Sequence, residues 1–276
     1  MFASITIAES MLYSTVKITA ISQGSAIGTG TGFFSTFCKT HDSFLPVIIT
    51  NKHVIEGADR IFINCHIEDN NTYKASGKFL DVFIDLQETL IMHPDPNIDL
   101  CAINFSSCIE QATEQGISIF YTPVGFELIP DESEWEFFDA IEEVTMIGCP
   151  NGLSDSVNNL PIIRQGVTAT SPSFPYNGKQ EFMVDMACFP GSSGSPIFLY
   201  NKNGYFDGKS KSYIMGAARL RLLGILYSGP LISNTGQITL NTSFKFDVAS
   251  MMHLGNAIRS SELKKLELYA STYLNI

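Results

Sequence analysis

The sequence predicts an all-β fold, a sandwich or barrel, with one helix at its C-terminal end. Three observations predict it. Short apolar, β-branched runs recur along the chain. Glycine, proline and asparagine punctuate them as turn signals. Near the end, the period of the apolar residues changes from strand-like to helical.

The runs come in order. Thr15-Val16-Lys17-Ile18, Thr31-Gly32-Phe33-Phe34, Pro46-Val47-Ile48-Ile49-Thr50, Ile61-Phe62-Ile63-Asn64 and Leu100-Cys101-Ala102-Ile103-Asn104 occupy the first half. Glu143-Val144-Thr145-Met146-Ile147-Gly148, Phe182-Met183-Val184-Asp185, Pro196-Ile197-Phe198-Leu199-Tyr200 and Leu222-Leu223-Gly224-Ile225-Leu226-Tyr227 occupy the second. Residues 106–129 read as the crossing between the halves. Residues 133–141 read as a short acidic helix, and the polar, glycine-rich 201–211 as a long hairpin loop. From about 248 to 268, Ala249, Met252, Leu254, Ala257, Ile258, Leu263 and Leu266 recur at helical spacing. This predicts a helix docked on the body, although Gly255 would weaken its interior.

Composition narrows the function. The chain has 276 residues, 45% of them hydrophobic, which suffices for a sizeable core. It carries 17 basic and 28 acidic residues, a net charge of −11. That balance repels phosphate backbones and anionic bilayers, so neither nucleic acid nor membrane is an expected partner. The start, Met1-Phe2-Ala3-Ser4-Ile5, lacks the basic and apolar regions of a signal peptide. No run of about 18 apolar residues exists. The six cysteines sit largely in strand-like runs, so the expectation is a cytoplasmic protein with free thiols. No paired metal-ligand spacing and no phosphate-binding glycine motif occurs, so neither metal nor cofactor is expected.

Chemistry is suggested by Phe189-Pro190-Gly191-Ser192-Ser193-Gly194-Ser195-Pro196. A serine framed by glycines before an apolar strand can occupy a tight exposed turn, with backbone N–H groups beside its hydroxyl. A Gly/Ser hairpin turn would have the same composition. Serine needs a base. Of the five histidines, His53 follows the apolar strand ending at Thr50 and opens a short turn, where it would be held and still exposed. A surface histidine at a strand end is the plain alternative. A carboxylate must orient the imidazole. Asp99 precedes the apolar run at 100–103; Asp95, between two prolines, is its rival. Cys188 lacks the glycine frame a nucleophile needs.

Together these segments resemble the trypsin-like (chymotrypsin-fold) serine peptidases, in particular the bacterial HtrA/Deg branch. Gly28-Thr29-Gly30-Thr31-Gly32-Phe33-Phe34 resembles the family's glycine-rich strand. Ile49-Thr50-Asn51-Lys52-His53-Val54 resembles its histidine motif, Asn97-Ile98-Asp99-Leu100-Cys101-Ala102 its aspartate strand, and Pro190-Gly191-Ser192-Ser193-Gly194-Ser195-Pro196 its nucleophile loop. Ile147-Gly148-Cys149-Pro150-Asn151-Gly152-Leu153 and Gln165-Gly166-Val167-Thr168-Ala169 are similar to the start of its second barrel.

The resemblance implies one peptidase domain over residues 1–276. It would hold two six-stranded antiparallel β-barrels, at about 10–115 and 125–250. It implies a triad of His53, Asp99 and Ser193, with an oxyanion hole from the N–H groups of Gly191 and Ser193. Ala187 and the strand at Leu226, Tyr227 and Ser228 would contact substrate, with a small or apolar residue before the cut. Ser192 and Ser195 depart from the family's usual Asp or Asn and second glycine. The expected activity is endopeptidase cleavage of a protein or peptide substrate through an acyl-enzyme, under control of an activating partner. An inactive or partner-gated binding module is the competing expectation.

Overall fold

In the computed structural model of the chain, residues 5–239 and 243–274 are described. A first helix, α1 (Ile7–Tyr13), starts at a capping box in which Thr6 and Glu9 satisfy each other's backbone N–H groups. Eight strands follow: β1 (Thr15–Ser22), β2 (Ser25–Phe37), β3 (Leu45–Thr50), β4 (Arg60–Asp69), β5 (Lys74–Asp85), β6 (Leu90–Met92), β7 (Cys101–Asn104) and β8 (Ile119–Phe120). They form one sheet in the order β5-β4-β1-β2-β3-β7-β6, with β8 on β4. Among the described residues the hydrogen-bonded path does not close, so the expected first six-stranded barrel is seen here as an eight-stranded sheet. A short helix, α2 (Leu86–Thr89), separates β5 from β6 in the chain.

Strand β3 explains the position of the site. All six of its residues are buried, because it is flanked by β2 and β7 and covered on both faces. Its register with β7 pairs Thr50 with Cys101. Residues just after β3 and just before β7 therefore meet at one end of the sheet. Those residues are His53 and Asp99.

The crossing holds α3 (Ser106–Glu114) as well as β8. Beyond it lie β9 (Glu143–Gly148), β10 (Ile162–Thr168), β11 (Glu181–Asp185), β12 (Pro196–Asn201), β13 (Gly204–Asp207), β14 (Ser212–Met215), β15 (Arg219–Ser228), β16 (Leu231–Thr239), β17 (Ser243–Met251) and β18 (Leu254–Arg259). Six of them close a barrel in the order β10-β11-β18-β15-β12-β9. The hairpins β13-β14 and β16-β17 form two separate two-stranded sheets. The polar loop expected at 201–211 thus contains most of a small hairpin, and the acidic segment 133–141 forms only a 3-10 turn, Trp135–Phe137. Trp135 is buried there beneath the Arg259 guanidinium, 4.7 Å from its ring.

The C-terminal helix differs from expectation. It is α4 (Glu262–Leu274): of the residues expected to be helical, 248–251 belong to β17 and 254–259 to β18, while Leu263 and Leu266 do lie in α4. Gly255 shows why. It pairs with Val184 across β11, and a Cβ there would lie 2.5 Å from Cys188 Sγ and 2.6 Å from Leu226 Cδ1. A strand that must approach its neighbours this closely needs glycine, whereas a helix interior disfavours it. The apolar spacing that suggested a helix comes from two successive elements read as one. In α4 itself Leu263, Leu266 and Ala270 form a buried stripe. That stripe joins a core shared by Phe33, Ile49 and Leu100 of the first half and Ile147, Phe198, Leu222 and Ile225 of the barrel.

Candidate active site

His53 sits in a 3-10 turn (Lys52–Val54) directly after β3. Asp99 Oδ2 is 2.5 Å from His53 Nδ1, and its Oδ1 accepts the His53 backbone N–H at 3.1 Å. One carboxylate thereby fixes both the ring and the backbone of the histidine. Burial pushes the Asp99 carboxyl up, but its hydrogen bonds from His53 outweigh this and hold it below its ordinary value. The loop is tied down further: Asn51 Nδ2 donates to the Asp99 carbonyl at 2.7 Å, and Lys52 Nζ donates to the carbonyls of His93 and Asp95. Asp95, the rival carboxylate, is exposed and accepts from its own neighbour Asn97. It makes no hydrogen bond to His53.

Ser193 stands three residues before β12 on the turn the glycines predicted. Gly191 has φ +79° and Gly194 φ +86°, both in the left-handed region. A Cβ at 191 would lie 2.8 Å from the Cys149 carbonyl oxygen and 2.9 Å from the Asn151 nitrogen. The turn is pinned by Ser192 N–H to the Phe189 carbonyl (3.0 Å), Ser195 N–H to the Ser192 carbonyl (3.0 Å) and Asn151 N–H to the Pro190 carbonyl (2.6 Å). Gly194 and Ser195 exchange backbone bonds with Leu226. The N–H groups of Gly191 and Ser193 have no acceptor among the described residues. Ser193 Oγ donates to the Tyr227 carbonyl at 3.3 Å, with no hydrogen bond to His53 in this conformation.

Thr31 of β2 joins the two halves at this turn. It is fully buried; its hydroxyl donates to the Gly191 carbonyl and accepts from Cys149 N–H, both at 2.9 Å, and its own N–H donates to the Ser193 carbonyl.

Two cavities flank the site. One of about 180 Å³ is lined by Cys188, Phe189, Pro190, Ser193, Leu226, Ser228 and Gly229. None of these side chains is charged. Burial pushes the Cys188 thiol up to about 11, so it is neutral near pH 7. The other, of about 550 Å³, lies against His53 and Asp99 and is walled mainly by apolar groups such as Ile55, Leu90 and Met92. Of the substrate contacts expected from sequence, Leu226 and Ser228 line the smaller cavity. Tyr227 instead offers its carbonyl to Ser193 and its hydroxyl to Glu181 at 2.9 Å. Ala187 lines neither cavity; its carbonyl accepts from Arg164 Nη1 at 2.5 Å.

Sequence reasoning did not single out Thr31 or Arg164. Thr31 carried only a weak signal, a hydroxyl between two glycines that Thr29 shares. Arg164 carried none, because a lone arginine after Ile162-Ile163 says nothing of what it will lie against. All six cysteines are free. No group of acids, histidines and cysteines suited to a metal occurs among the described residues.

A family model described as a trypsin-like peptidase domain matches residues 30–205. A probable periplasmic serine endoprotease, DegP-like, of Marinomonas sp. (strain MWYL1) is 26% identical over 201 residues, which is 68% of this chain and 33% of the relative. The chain thus spans about a third of that relative's length. Among solved structures, the serine endoprotease from Yersinia pestis superposes with a TM-score of 0.47 at 17% identity, covering 96% of this chain and 68% of the other. The Rv3671c protease in its inactive form gives 0.42 at 13%, covering 94% and 88%.

Proposed function

Because this chain belongs to the trypsin-like peptidase family, we propose that it is a serine endopeptidase working through Ser193, His53 and Asp99. The observation that carries the reading is the double grip of Asp99 on His53, at Nδ1 and at the backbone N–H. A carboxylate on Nδ1 keeps the proton there and leaves Nε2 as the basic nitrogen. His53 takes the Ser193 proton as Oγ attacks the scissile carbonyl, and returns it to the leaving amine. The oxyanion is received by the N–H groups of Gly191 and Ser193, which have no acceptor among the described residues. Water then hydrolyses the acyl-enzyme by the same proton route in reverse.

The cavity beside Ser193 fits a small or apolar side chain before the cut, because its walls carry no charge. Substrate backbone would run along Leu226 to Ser228 as an added strand.

A second reading is a partner-gated site. It is favoured by the Ser193 hydroxyl, which rests on the Tyr227 carbonyl rather than on His53. Catalytic hydrogen bonds of substrate-free enzymes are often long and tighten only in the complex.

Intact-mass analysis after fluorophosphonate treatment tests the proposal. One adduct is expected on the wild type and none on Ser193→Ala, with peptide turnover reduced by roughly 10⁴-fold or more in the variant. Absence of an adduct on folded wild-type protein would overturn the active-enzyme reading in favour of the gated one.

A further inference from the structure

Beneath the nucleophile turn lies a guanidinium without a counter-charge. Arg164, on β10, donates from Nη1 to the Ala187 carbonyl at 2.5 Å and to Ser192 Oγ at 2.9 Å. Its Nε and Nη2 are also buried, with no acceptor among the described residues. No carboxylate pairs with it among those residues, and the ionisable groups that bear on it are the thiols of Cys149 and Cys188. Burial pushes both thiols up to about 11, so neither is an anion near pH 7.

The two arginines of β15 are treated differently, whereas Arg259 of β18 is buried without a paired carboxylate among the described residues and rests on the Trp135 ring and the Pro172 carbonyl. Arg219 meets Glu142 at 2.6 Å and Arg221 meets Glu134 at 3.0 Å. Leaving a buried charge unpaired costs stability, so what Arg164 contributes must lie in the contacts it makes. Burial also depresses the Arg164 pKa, in line with that cost. Both bonds that Arg164 does make go to the segment 187–192. Ser192, its second acceptor, is fully buried and stands between Gly191 and Ser193.

Building on the protease reading, we infer that Arg164 is a positioning residue: it clamps the 187–192 segment so that the Gly191 and Ser193 N–H groups stay turned to the substrate carbonyl. Its positive charge stands behind the turn and is compensated only when negative charge develops at the oxyanion. A charge held ready in this way acts on the transition state more than on the bound substrate.

The test compares wild type, Arg164→Met, Arg164→Lys and Ser192→Ala in peptide hydrolysis. It adds inhibition by a peptide boronic acid, which mimics the tetrahedral anion, and thermal melting. Arg164→Met is expected to lose about tenfold to a hundredfold in kcat, below the loss for an oxyanion donor itself. Its KM should stay within about threefold, and its boronate affinity should fall in parallel with kcat. Arg164→Lys, which keeps the charge, should recover part of the loss. A folded Arg164→Met with kcat within about twofold of wild type, or with its loss confined to KM, would overturn the inference. Should Arg164→Met not fold, Ser192→Ala decides, since it removes one contact and keeps the charge. A fall in kcat at constant KM supports the clamp, and an unchanged kcat overturns it. Wild-type protein that neither hydrolyses peptide nor takes a fluorophosphonate would remove the protease reading and this inference with it. An active wild type beside an indifferent Arg164→Met removes this inference alone.

Discussion

Gly191 adopts φ +79°, and its missing side chain leaves room for the Cys149 carbonyl and the Asn151 nitrogen. Both obstacles are backbone, so neither can rotate away. Gly191→Ala must therefore move the turn, at a backbone cost of about 1–3 kcal/mol, and with it the N–H groups that would face the oxyanion. The expected outcome is a folded protein whose kcat falls by roughly 10²-fold. Steady-state kinetics beside a thermal melt would check it, and an alanine variant of wild-type activity would refute this role for residue 191. The turn at 191–194 was legible in the sequence because glycines at strained positions are written in the chain itself. His53 and Asp99 were legible for a related reason: each adjoins a run of apolar residues that had to be a buried strand. Arg164 was not, because nothing local records what lies beneath a turn formed 25 residues later.

At the scale of elements, the docking of α4 rests on a charged contact inside the core. Glu262 is almost fully buried. Its Oε2 lies 3.3 Å from His93 Nε2, more a close electrostatic approach than an aligned hydrogen bond, and its Oε1 accepts from Lys265 at 2.9 Å. His93 Nδ1 accepts the Asp95 N–H, which directs the ring's proton to the side facing Glu262. Burial pushes the Glu262 carboxyl up, but His93 and Lys265 outweigh it and hold the group below its ordinary value. A carboxyl depressed on folding stabilises the protein when ionised. Its contribution is complete above the unfolded value, near pH 4.3, and is lost as the pH falls through the folded value. Glu262→Gln should therefore melt lower at pH 7, by about 1–3 kcal/mol, and show a shallower fall in melting temperature below about pH 5 than wild type does. Parallel pH profiles of the two proteins would contradict this account. The helix itself was legible only in part. Its stripe at 263, 266 and 270 is periodic, yet the preceding strand β18 also buries residues 255 and 257–259. Apolar spacing cannot separate two buried elements joined by a short turn. Gly255, awkward in a helix and required in the strand, was the one residue that marked the difference. The eight-stranded first sheet was likewise hidden, because strand count shows in a sequence but closure depends on partners distant in the chain.

For the whole molecule, the sheet and the barrel share one of their hydrophobic clusters, so they should unfold together. Phe33, on β2, is fully buried in a cluster that also holds Phe198, Leu222 and Ile225 of the barrel and Leu263 of α4. Thr31, two residues away, hydrogen-bonds the nucleophile turn from the sheet side. The single tryptophan, Trp135, lies in a different cluster, wholly within the second half. Its fluorescence therefore reports the barrel, while far-ultraviolet circular dichroism reports the whole chain. If the shared core couples the halves, the two signals should change together on heating. Phe33→Ala should lower both midpoints alike, with a loss of about 3–5 kcal/mol, although it removes atoms only from the sheet. Independent halves would behave otherwise: the tryptophan transition would stay in place while the circular dichroism transition split in two. The distinction bears on the site, because His53 and Asp99 come from the sheet and Ser193 from the barrel. The proposed triad, divided between two elements of fold, keeps its geometry only while the cluster they share is intact. Fluorophosphonate labelling of Ser193 in Phe33→Ala, followed across the same temperature range, should disappear at the shared midpoint rather than before it.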